Sequence, residues 1–234
     1  MEIKDKVVIV TGASEGIGAA LAVALAAKGA KLVLAARSED RLKSLAARLP
    51  GSLVVRADLR RPEDVEGLIS ATVKAHGRVD LLVNNAGQGV YGPIESVDFE
   101  AYKSAMELNV YAPLRAMELV IPLMRAKGGG MILNISSMVS KNAYPGLGVY
   151  ASTKYALNAL SLTARAELAK DGIVVSLFHP RMTATRFGEN ALGSRPSFSG
   201  GQASRSPAID SAEEVAAKVL ALIASEAAEA SMQG

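Results

Sequence analysis

Two side chains that exchange protons readily stand one helical turn apart in the second half of the chain. Tyr150 and Lys154 begin and end the segment Tyr-Ala-Ser-Thr-Lys, and Ser137 precedes them. Because a helix brings residues four positions apart to one face, this segment would place a phenol beside an ammonium group. The cation would stabilise the phenolate, so we expect Tyr150 to act as an acid and base near neutral pH.

A glycine-rich segment follows the first apolar run of the chain and has the spacing G-x-x-x-G-x-G. Such glycines allow close approach of the backbone, and the N-terminus of the helix that follows attracts a pyrophosphate. Glycines in a strand-to-helix turn also occur for tight packing alone, so both interpretations stay open on this segment. The residues predicted to contact a dinucleotide here are Gly12, Ser14, Glu15, Gly16, Ile17 and Gly18.

The end of the second apolar run bears on the choice of dinucleotide. An NAD site usually carries an acidic residue there, which accepts a hydrogen bond from the ribose 2′-hydroxyl, whereas this chain has Arg37 and Ser38. A cation and a hydroxyl suit the 2′-phosphate of NADP, although Arg37 as a solvated strand-end residue is the alternative and Glu15 opposes an added phosphate. The sequence therefore favours NADP(H) over NAD(H).

Further candidates follow the third and fourth apolar runs. Asp58 is predicted either to accept a hydrogen bond from the adenine amine or to cap the next helix, and Leu59 adjoins it. Asn84, Asn85, Ala86 and Gly87 end the fourth run. There the two amides would satisfy strand-end backbone, a structural role, while the segment forms a flat floor for the dinucleotide.

Short apolar runs alternate with longer amphipathic stretches along the chain, which indicates βαβ units. We predict an α/β fold, a single-domain doubly wound (Rossmann) parallel sheet of six or seven strands with helices on both faces. The predicted strands are 7–10, 31–35, 53–56, 81–83, 131–135 and 174–178. The predicted helices are 16–28, 39–49, 62–76, 99–125, 149–170 and 212–224, of which the third begins at Pro62 and the last follows a capping-box sequence at Ser211.

Composition limits the other classes of function. The chain has 234 residues, of which 50% are hydrophobic and 21% charged, so one domain over residues 1–234 is expected. The net charge is +3, the Lys and Arg residues are scattered along the chain, and only 4% of residues are aromatic. These features argue against a nucleic-acid-binding protein. With no cysteine and two histidines we expect no metal site. We see no signal-peptide pattern or bilayer-length apolar run, so a cytoplasmic protein that does not enter a membrane is expected.

The chain resembles the short-chain dehydrogenase/reductase family, and the likeness spans nearly the whole chain. The resemblance is carried by the segment from Thr11 to Gly18, Asp58, the segment from Asn84 to Gly87, Asn109, Ser137, Tyr150 with Lys154, and the segment at Pro180. The resemblance implies that Tyr150 donates a proton to a carbonyl or accepts one from an alcohol. It also implies that Lys154 holds the nicotinamide ribose and lowers the pKa of Tyr150, that Ser137 orients the substrate oxygen, and that Asn109 interrupts its helix to hold a water. Further cofactor contacts are implied at Tyr150, Lys154, Pro180, Thr183 and Thr185. A homodimer or homotetramer is implied through helices 99–125 and 149–170.

Two departures from the family pattern leave questions open. Arg181 stands where the family usually has a glycine after Pro180, and it either faces outward, reaches an anionic group or requires a reshaped loop. The end of the chain lacks the usual apolar strand and glycine pair, so the seventh strand is in doubt. Residues 186–209, rich in Gly, Ser and Pro, are predicted to form a substrate-binding loop or lid.

Two other functions fit the sequence less well. A cofactor-binding sensor or scaffold without turnover would keep the glycines but has no reason to keep Ser137, Tyr150 and Lys154 together. A sugar-nucleotide epimerase or dehydratase usually needs a larger carboxy-terminal domain than the residues after Thr185 provide. We expect the substrate to be a small carbonyl compound or alcohol. An apolar or aromatic one is suggested by the candidate pocket residues Val90, Tyr91, Ile94, Met138, Tyr144 and Phe187.

Overall fold

The computed structural model describes residues 1–193 and 209–232. Within these residues, seven strands form one parallel sheet in the order β3-β2-β1-β4-β5-β6-β7. The strands are β1 Val7–Thr11, β2 Lys31–Ala36, β3 Leu53–Arg56, β4 Leu81–Asn84, β5 Gly130–Ile135, β6 Ile173–His179 and β7 Glu229–Ser231. The helices are α1 Gly16–Ala27, α2 Glu39–Ala46, α3 Pro62–His76, α4 Phe99–Met106, α5 Ala112–Ala126, α6 Gly148–Leu168 and α7 Ala212–Ser225. This is the predicted doubly wound fold, with the strand order reversing between β1 and β4.

Helices cover both faces of the sheet, which is why the central strands are apolar on both sides. Every residue of β1 and β4 is buried. One core layer packs α1, α2 and α7 on the sheet, and its side chains include Leu21, Leu42 and Val219. The other layer packs α3, α5 and the end of α6 on the opposite face, with Leu68, Val120 and Leu168 among its members. Because the strands are all parallel, their carboxyl ends lie together at one edge of the sheet.

The seventh strand, which the sequence left in doubt, is present. Its three residues pair in parallel with the last residues of β6, from Leu177 opposite Glu229 to His179 opposite Ser231. The pairing depends on backbone hydrogen bonds and on the Glu229 side chain, which accepts from His179 Nε2 at 2.9 Å. An apolar pattern search misses such a strand because its residues are only half-buried.

The single helix predicted over 99–125 is wrong. The structure has α4, then a π-helical segment Glu107–Tyr111, then α5. Pro113 has no backbone N–H to donate into the preceding turn, so the regular hydrogen-bond ladder cannot run through this point. Asn109 lies within this π-helical segment, and its side chain turns to the loop after β4.

The other predicted helices differ at their ends. Helix α2 ends at Ala46 rather than at 49, and α6 ends at Leu168, where a short 3₁₀ turn Ala169–Asp171 takes over. Both expected helix starts occur: Pro62 is the first residue of α3, and the Ser211 and Glu214 side chains form a capping box on α7. None of the helices in residues 1–193 and 209–232 has the length and hydropathy needed to cross a bilayer.

Candidate active site

The glycine segment packs tightly against the loop that follows β4. Gly12 has φ +63°, and a Cβ added to it would lie 2.9 Å from Ala86 Cα. A Cβ on Gly18 would clash with the carbonyl oxygen of Gly12. These two positions therefore require glycine for packing, and the same packing opens the backbone edge of the segment to a ligand.

Thr11 and Asn85 fix this arrangement through hydrogen bonds. The Thr11 hydroxyl donates to the carbonyl of Val83 at 3.2 Å and accepts from the backbone N–H groups of Asn85 and Ala86 at 3.0 and 3.1 Å. Asn85 Nδ2 in turn donates to the Thr11 carbonyl at 2.9 Å. Asn84 Nδ2 donates to Asn134 Oδ1 at 2.8 Å inside the sheet. Both asparagines thus make structural contacts, which is the role expected of them.

The N-terminus of α1 is open to an anion. Glu15 stands at the N-cap, yet its side chain makes no capping hydrogen bond. It accepts instead from Arg41 Nη1 at 2.5 Å and from Asn190 Nδ2 at 2.8 Å. Among the residues that the structure describes, no side chain accepts from the first-turn amides of α1, as a bound pyrophosphate would require. The residues present fit a dinucleotide.

The segment after β6 folds over the glycine segment. A Cβ built on Gly16, whose φ is +57°, would lie 3.0 Å from the Thr185 methyl group. Thr183 makes an isolated bridge with Asp210, and the Pro180 carbonyl accepts from Met138 N–H at 3.0 Å. The structure therefore brings all three predicted residues of this segment to the carboxyl edge of the sheet, and Thr185 to the glycine turn itself.

Arg181 resolves the first departure from the family pattern. It does not have a positive φ, so this loop needs no glycine-only conformation here. Its guanidinium donates to both carboxylate oxygens of Asp210, at 3.1 and 2.6 Å. The anionic group that Arg181 reaches is therefore a buried residue of the chain itself, just before α7. No local pattern indicates this pair, because the partners are 29 residues apart in the chain.

A basic group that sequence reasoning missed lies beside Arg37. Arg37 is exposed at the end of β2, and Ser38 is the N-cap of α2. Arg41 Nε donates to Ser38 Oγ at 3.0 Å, and Arg41 also pairs with Glu15. The carboxylate that opposed an added phosphate is thus paired with a cation, and Arg186 lies 3.6 Å from it as well. The signal was the spacing from Ser38 to Arg41, which a helix places on one side.

Asp58 is held by a neighbouring guanidinium. Arg60 donates from Nε to Asp58 Oδ1 at 2.9 Å and from Nη2 to Oδ2 at 2.5 Å, and this hydrogen bonding lowers the pKa of the Asp58 carboxyl. The charge of Arg37 acts in the same direction. The N-cap of α3 is Arg61, so the alternative capping role for Asp58 is wrong. Leu59 is buried beside it.

Asn109 joins the loop after β4 to α6. It is fully buried, and its Oδ1 accepts from Gln88 N–H at 2.8 Å while Nδ2 donates to the Gln88 carbonyl at 2.9 Å and to Thr153 Oγ1 at 3.0 Å. A Cβ on Gly87 would lie 3.3 Å from Asn109 Oδ1 and 3.5 Å from Lys154 Nζ. Gly87 therefore leaves space next to both predicted catalytic side chains.

Tyr150 and Lys154 lie in the first half of α6 and both reach the end of β5. Lys154 Nζ donates to the Ile135 carbonyl at 2.9 Å, and Tyr150 interacts with the Ser137 hydroxyl. Both side chains are buried, with 7% of Tyr150 and 3% of Lys154 exposed. The Tyr150 ring also contacts Phe187, with ring centroids 5.6 Å apart. The structure thus brings the three predicted catalytic side chains together.

The expected lowering of the Tyr150 pKa is wrong for this arrangement. Burial removes the phenolate from water and raises the pKa of Tyr150 above its ordinary value, and the hydrogen bond with Ser137 lowers it only in part. Burial lowers the pKa of Lys154 to about 8, because the ammonium is also desolvated. At neutral pH the pair is a neutral phenol and an ammonium.

The loop after β4 pairs with the segment after β6 and forms one wall of the candidate substrate pocket. Tyr91 N–H donates to the Leu192 carbonyl at 2.8 Å, and Leu192 N–H donates to the Gly89 carbonyl at 2.9 Å. This pairing holds Phe187 against Gly89 and Tyr150. Of the predicted loop over 186–209, residues 194–208 lie outside the described residues.

Comparison with known proteins agrees with this geometry. Residues 6–194 match the family model for short chain dehydrogenases. An uncharacterized oxidoreductase of Listeria innocua is 36% identical over 176 residues, which cover 74% of this chain and 71% of that protein.

Two solved structures are similar to this chain in fold. An alcohol dehydrogenase of the archaeon Thermococcus sibiricus, complexed with 5-hydroxy-NADP, has a TM-score of 0.85 and 30% identity over 98% of this chain and 96% of that one. A short-chain dehydrogenase/reductase of Burkholderia phymatum in complex with NAD has a TM-score of 0.86 and 26% identity over 99% and 90% of the chains. The chain therefore belongs to the short-chain dehydrogenase/reductase family of oxidoreductases that use a nicotinamide cofactor.

Proposed function

We propose that the protein transfers a hydride between NADP(H) and a carbonyl compound or secondary alcohol, with Tyr150 as the general acid and base. The observation that carries this proposal is the convergence of Ser137, Tyr150 and Lys154, two of them nearly fully buried, at the sheet edge next to the open N-terminus of α1. A non-catalytic sensor would not require this convergence.

The side chains support a division of labour during carbonyl reduction. NADPH, when bound, would supply the hydride, and negative charge would then develop on the carbonyl oxygen. Ser137 and Tyr150 donate hydrogen bonds to that oxygen, and the raised pKa of Tyr150 keeps its proton available at neutral pH. Lys154, positively charged below about pH 8, holds the ribose and stabilises the phenolate that forms. Asn109 joins the loop after β4 to α6 and holds a water that relays protons.

Cofactor preference is assigned to the group of Arg37, Ser38 and Arg41. Arg37 is exposed at the end of β2, while Arg41 joins Ser38 to Glu15 beside the glycine segment. Two guanidinium groups and a hydroxyl at this point suit a 2′-phosphate. One similar structure contains 5-hydroxy-NADP and another contains NAD, so the proposed preference rests on these residues and not on the comparisons.

Replacing Arg37 with Asp should reverse the preference. We expect the Kd for NADPH to rise at least tenfold, equivalent to about 1.4 kcal/mol, because the phosphate would then face a carboxylate. The Kd for NADH should change little. Titration of cofactor fluorescence measures both constants, with Arg48→Asp, an exposed charge reversal farther along the same connection, as the control. An unchanged ratio of the two constants in Arg37→Asp would remove Arg37 from the cofactor site.

The substrate is proposed to be a small apolar or aromatic carbonyl compound. Val90 is buried, Phe187 contacts Tyr150, and the pairing of Tyr91 with Leu192 closes this side of the pocket. A panel of such carbonyl compounds and alcohols, followed at the nicotinamide absorbance with NADPH and NADH, tests the function. Turnover of ketones or aldehydes is the expected result, and NADPH binding without turnover of any carbonyl or alcohol would favour the sensor alternative.

Exposed apolar side chains support a homo-oligomer formed through the two long helices. Tyr155 and Leu162 stand two turns apart on one face of α6, and Tyr111 and Leu114 lie together at the start of α5. Each is more than two-fifths exposed, which is unusual for neighbouring large apolar residues unless another surface covers them. A second copy of this chain is the partner we propose.

Placing charges on this face should separate the subunits. We expect light scattering to give a dimer or tetramer for the parent protein and a monomer for Tyr155→Arg with Leu162→Arg, because two unpaired charges would be buried at the interface. Val23→Arg on α1, which is also partly exposed, is the matched control and should leave the mass unchanged. A double variant that keeps the parent mass would place the interface elsewhere.

A further inference from the structure

A buried histidine lies directly behind the serine of the proposed catalytic group and has no part in the function described so far. His179 ends β6, and its side chain is 2% exposed. Its Nε2 lies 2.9 Å from Glu229 Oε2 on β7, and its Nδ1 lies 3.5 Å from both the Ser137 carbonyl oxygen and Ser140 Oγ. The imidazole therefore spans the distance from the last strand to the segment that carries Ser137.

The same carboxylate is held from a second side. Lys141 Nζ, one residue beyond the 3₁₀ turn Met138–Ser140, donates to Glu229 Oε2 at 2.6 Å. This hydrogen bond lowers the pKa of Glu229, so the carboxylate is ionised at neutral pH and acts only as an acceptor. An ionised acceptor at Nε2 requires the proton of the neutral imidazole to be on Nε2. Lys141 thus ties β7 by a hydrogen bond to the turn over residues 137–141, which we call the serine turn. In this tautomer His179 Nδ1 carries no proton for the Ser137 carbonyl, so the ring packs against the serine turn without a hydrogen bond to that carbonyl.

Serine side chains in and next to this turn are hydrogen-bonded to the Ser137 carbonyl and to α6. Ser140 Oγ donates to the Ser137 carbonyl at 2.6 Å and accepts from Asn158 Nδ2 of α6 at 2.9 Å. Ser136 Oγ donates to Asn158 Oδ1 at 2.6 Å. Ser137 Oγ accepts from Val139 N–H at 3.3 Å, which leaves its hydroxyl proton for the site. The direction of the Ser137 hydroxyl therefore depends on a turn that Ser140 and Asn158 fix by hydrogen bonds and behind which the buried His179 ring packs.

We propose that His179 and Glu229 are positioning residues for the reaction: Glu229 holds the imidazole in its Nε2–H tautomer, and the buried ring, packed behind the serine turn, keeps that turn where the Ser137 hydroxyl is aimed at the substrate oxygen. This proposal rests on the proposed function of Ser137. This proposal assigns β7 a role in the site, because the strand places the Glu229 carboxylate beside His179. The ionisable groups that face His179 are Glu229 from β7 and Lys141 from the serine turn. Burial and the charge of Lys141 lower the pKa of His179, which keeps the ring neutral at pH 7.

The experiment compares Glu229→Ala, Glu229→Gln and a control in the complete protein. We expect kcat of Glu229→Ala to fall about tenfold, because a small displacement of a donor in the site is costly, while the Kd for NADPH stays unchanged. Glu229→Gln should recover most of kcat, since its amide oxygen still accepts from Nε2–H. Asp171→Ala removes a comparable ion pair with Arg125, remote from the site, and should leave kcat unchanged.

Nitrogen NMR of the imidazoles gives a readout that does not depend on turnover. The chain has two histidines, so His76→Gln assigns the His179 signals. We expect the Nε2–H tautomer in the parent protein, a mixed or Nδ1–H ring in Glu229→Ala, and shifted Ser137 and Ser140 amide signals in that variant. Unchanged amide signals, or an unchanged kcat despite the altered tautomer, would overturn the proposal. If the parent protein turned over no substrate, the proposed function would fail, and the amide signals alone would decide whether Glu229 positions the serine turn.

Discussion

Tyr150→Phe should lower kcat for carbonyl reduction by about 10²- to 10⁴-fold, the range associated with loss of a positioned general acid. The substitution removes one oxygen from a buried ring and leaves the contact with Phe187 in place. Cofactor binding should persist, because the glycine segment and the N-terminus of α1 do not depend on the phenol. The comparison is made from initial rates at saturating NADPH, together with the Kd for NADPH.

Tyr155→Phe is the matched control on the same helix. Tyr155 lies just over one turn beyond Tyr150 in α6 but is about half exposed, so loss of its hydroxyl should leave kcat unchanged. A Tyr150→Phe protein that kept the parent rate would exclude Tyr150 as the proton donor. Equal losses in both variants would point to a general effect on the helix.

Lys154→Met should lower kcat by about 10²-fold and change the dependence of stability on pH. The loss of activity follows because the ammonium no longer stabilises negative charge in the site. The pKa of Lys154 is about 8 in the folded protein and 10.5 in the unfolded chain. Between about pH 8 and pH 10 the unfolded chain therefore holds a proton that the folded protein has lost, so the free energy of unfolding rises with pH.

The size of this rise follows from the pKa difference. Relative to Lys154→Met, the free energy of unfolding of the parent protein should increase by about 2 kcal/mol from pH 8 to just below pH 10. Above pH 10 the raised pKa of Tyr150 acts in the opposite direction, because the folded protein then retains a proton that the unfolded chain loses. Urea unfolding across this range measures the difference, with the exposed Lys170→Met as the control. Parallel curves for the parent protein and Lys154→Met would show that the ammonium is not desolvated.

Local patterns predicted the elements that position the site. Strands buried on both faces appear in the sequence as short apolar runs, and all six that were predicted are present with ends shifted by at most one residue. Glycines at 12 and 18 and the pair of Tyr150 and Lys154 mark positions where backbone contact or helical spacing limits the choice of residue. Such constraints are local, so a single sequence is enough to reveal them.

The features that the sequence did not reveal depend on partners far apart in the chain. Arg181 pairs with Asp210, and Glu229 pairs with His179 and Lys141, across separations that no spacing rule covers. Apolar periodicity also missed the break at Asn109, which only the family resemblance implied and to which Pro113 contributes locally. The direction of the Tyr150 pKa shift was mistaken because spacing indicates a neighbouring charge but not the extent of burial.

The most direct test of the account follows a labelled hydride. NADPH carrying deuterium at C4 of the nicotinamide, on one face in one preparation and on the other face in a second, is turned over with a ketone that the protein reduces. The account predicts that one preparation delivers deuterium to the carbonyl carbon of the alcohol, seen by mass spectrometry, and that Tyr150→Phe delivers it far more slowly. Alcohol that carries no label from either preparation would contradict hydride transfer at this site.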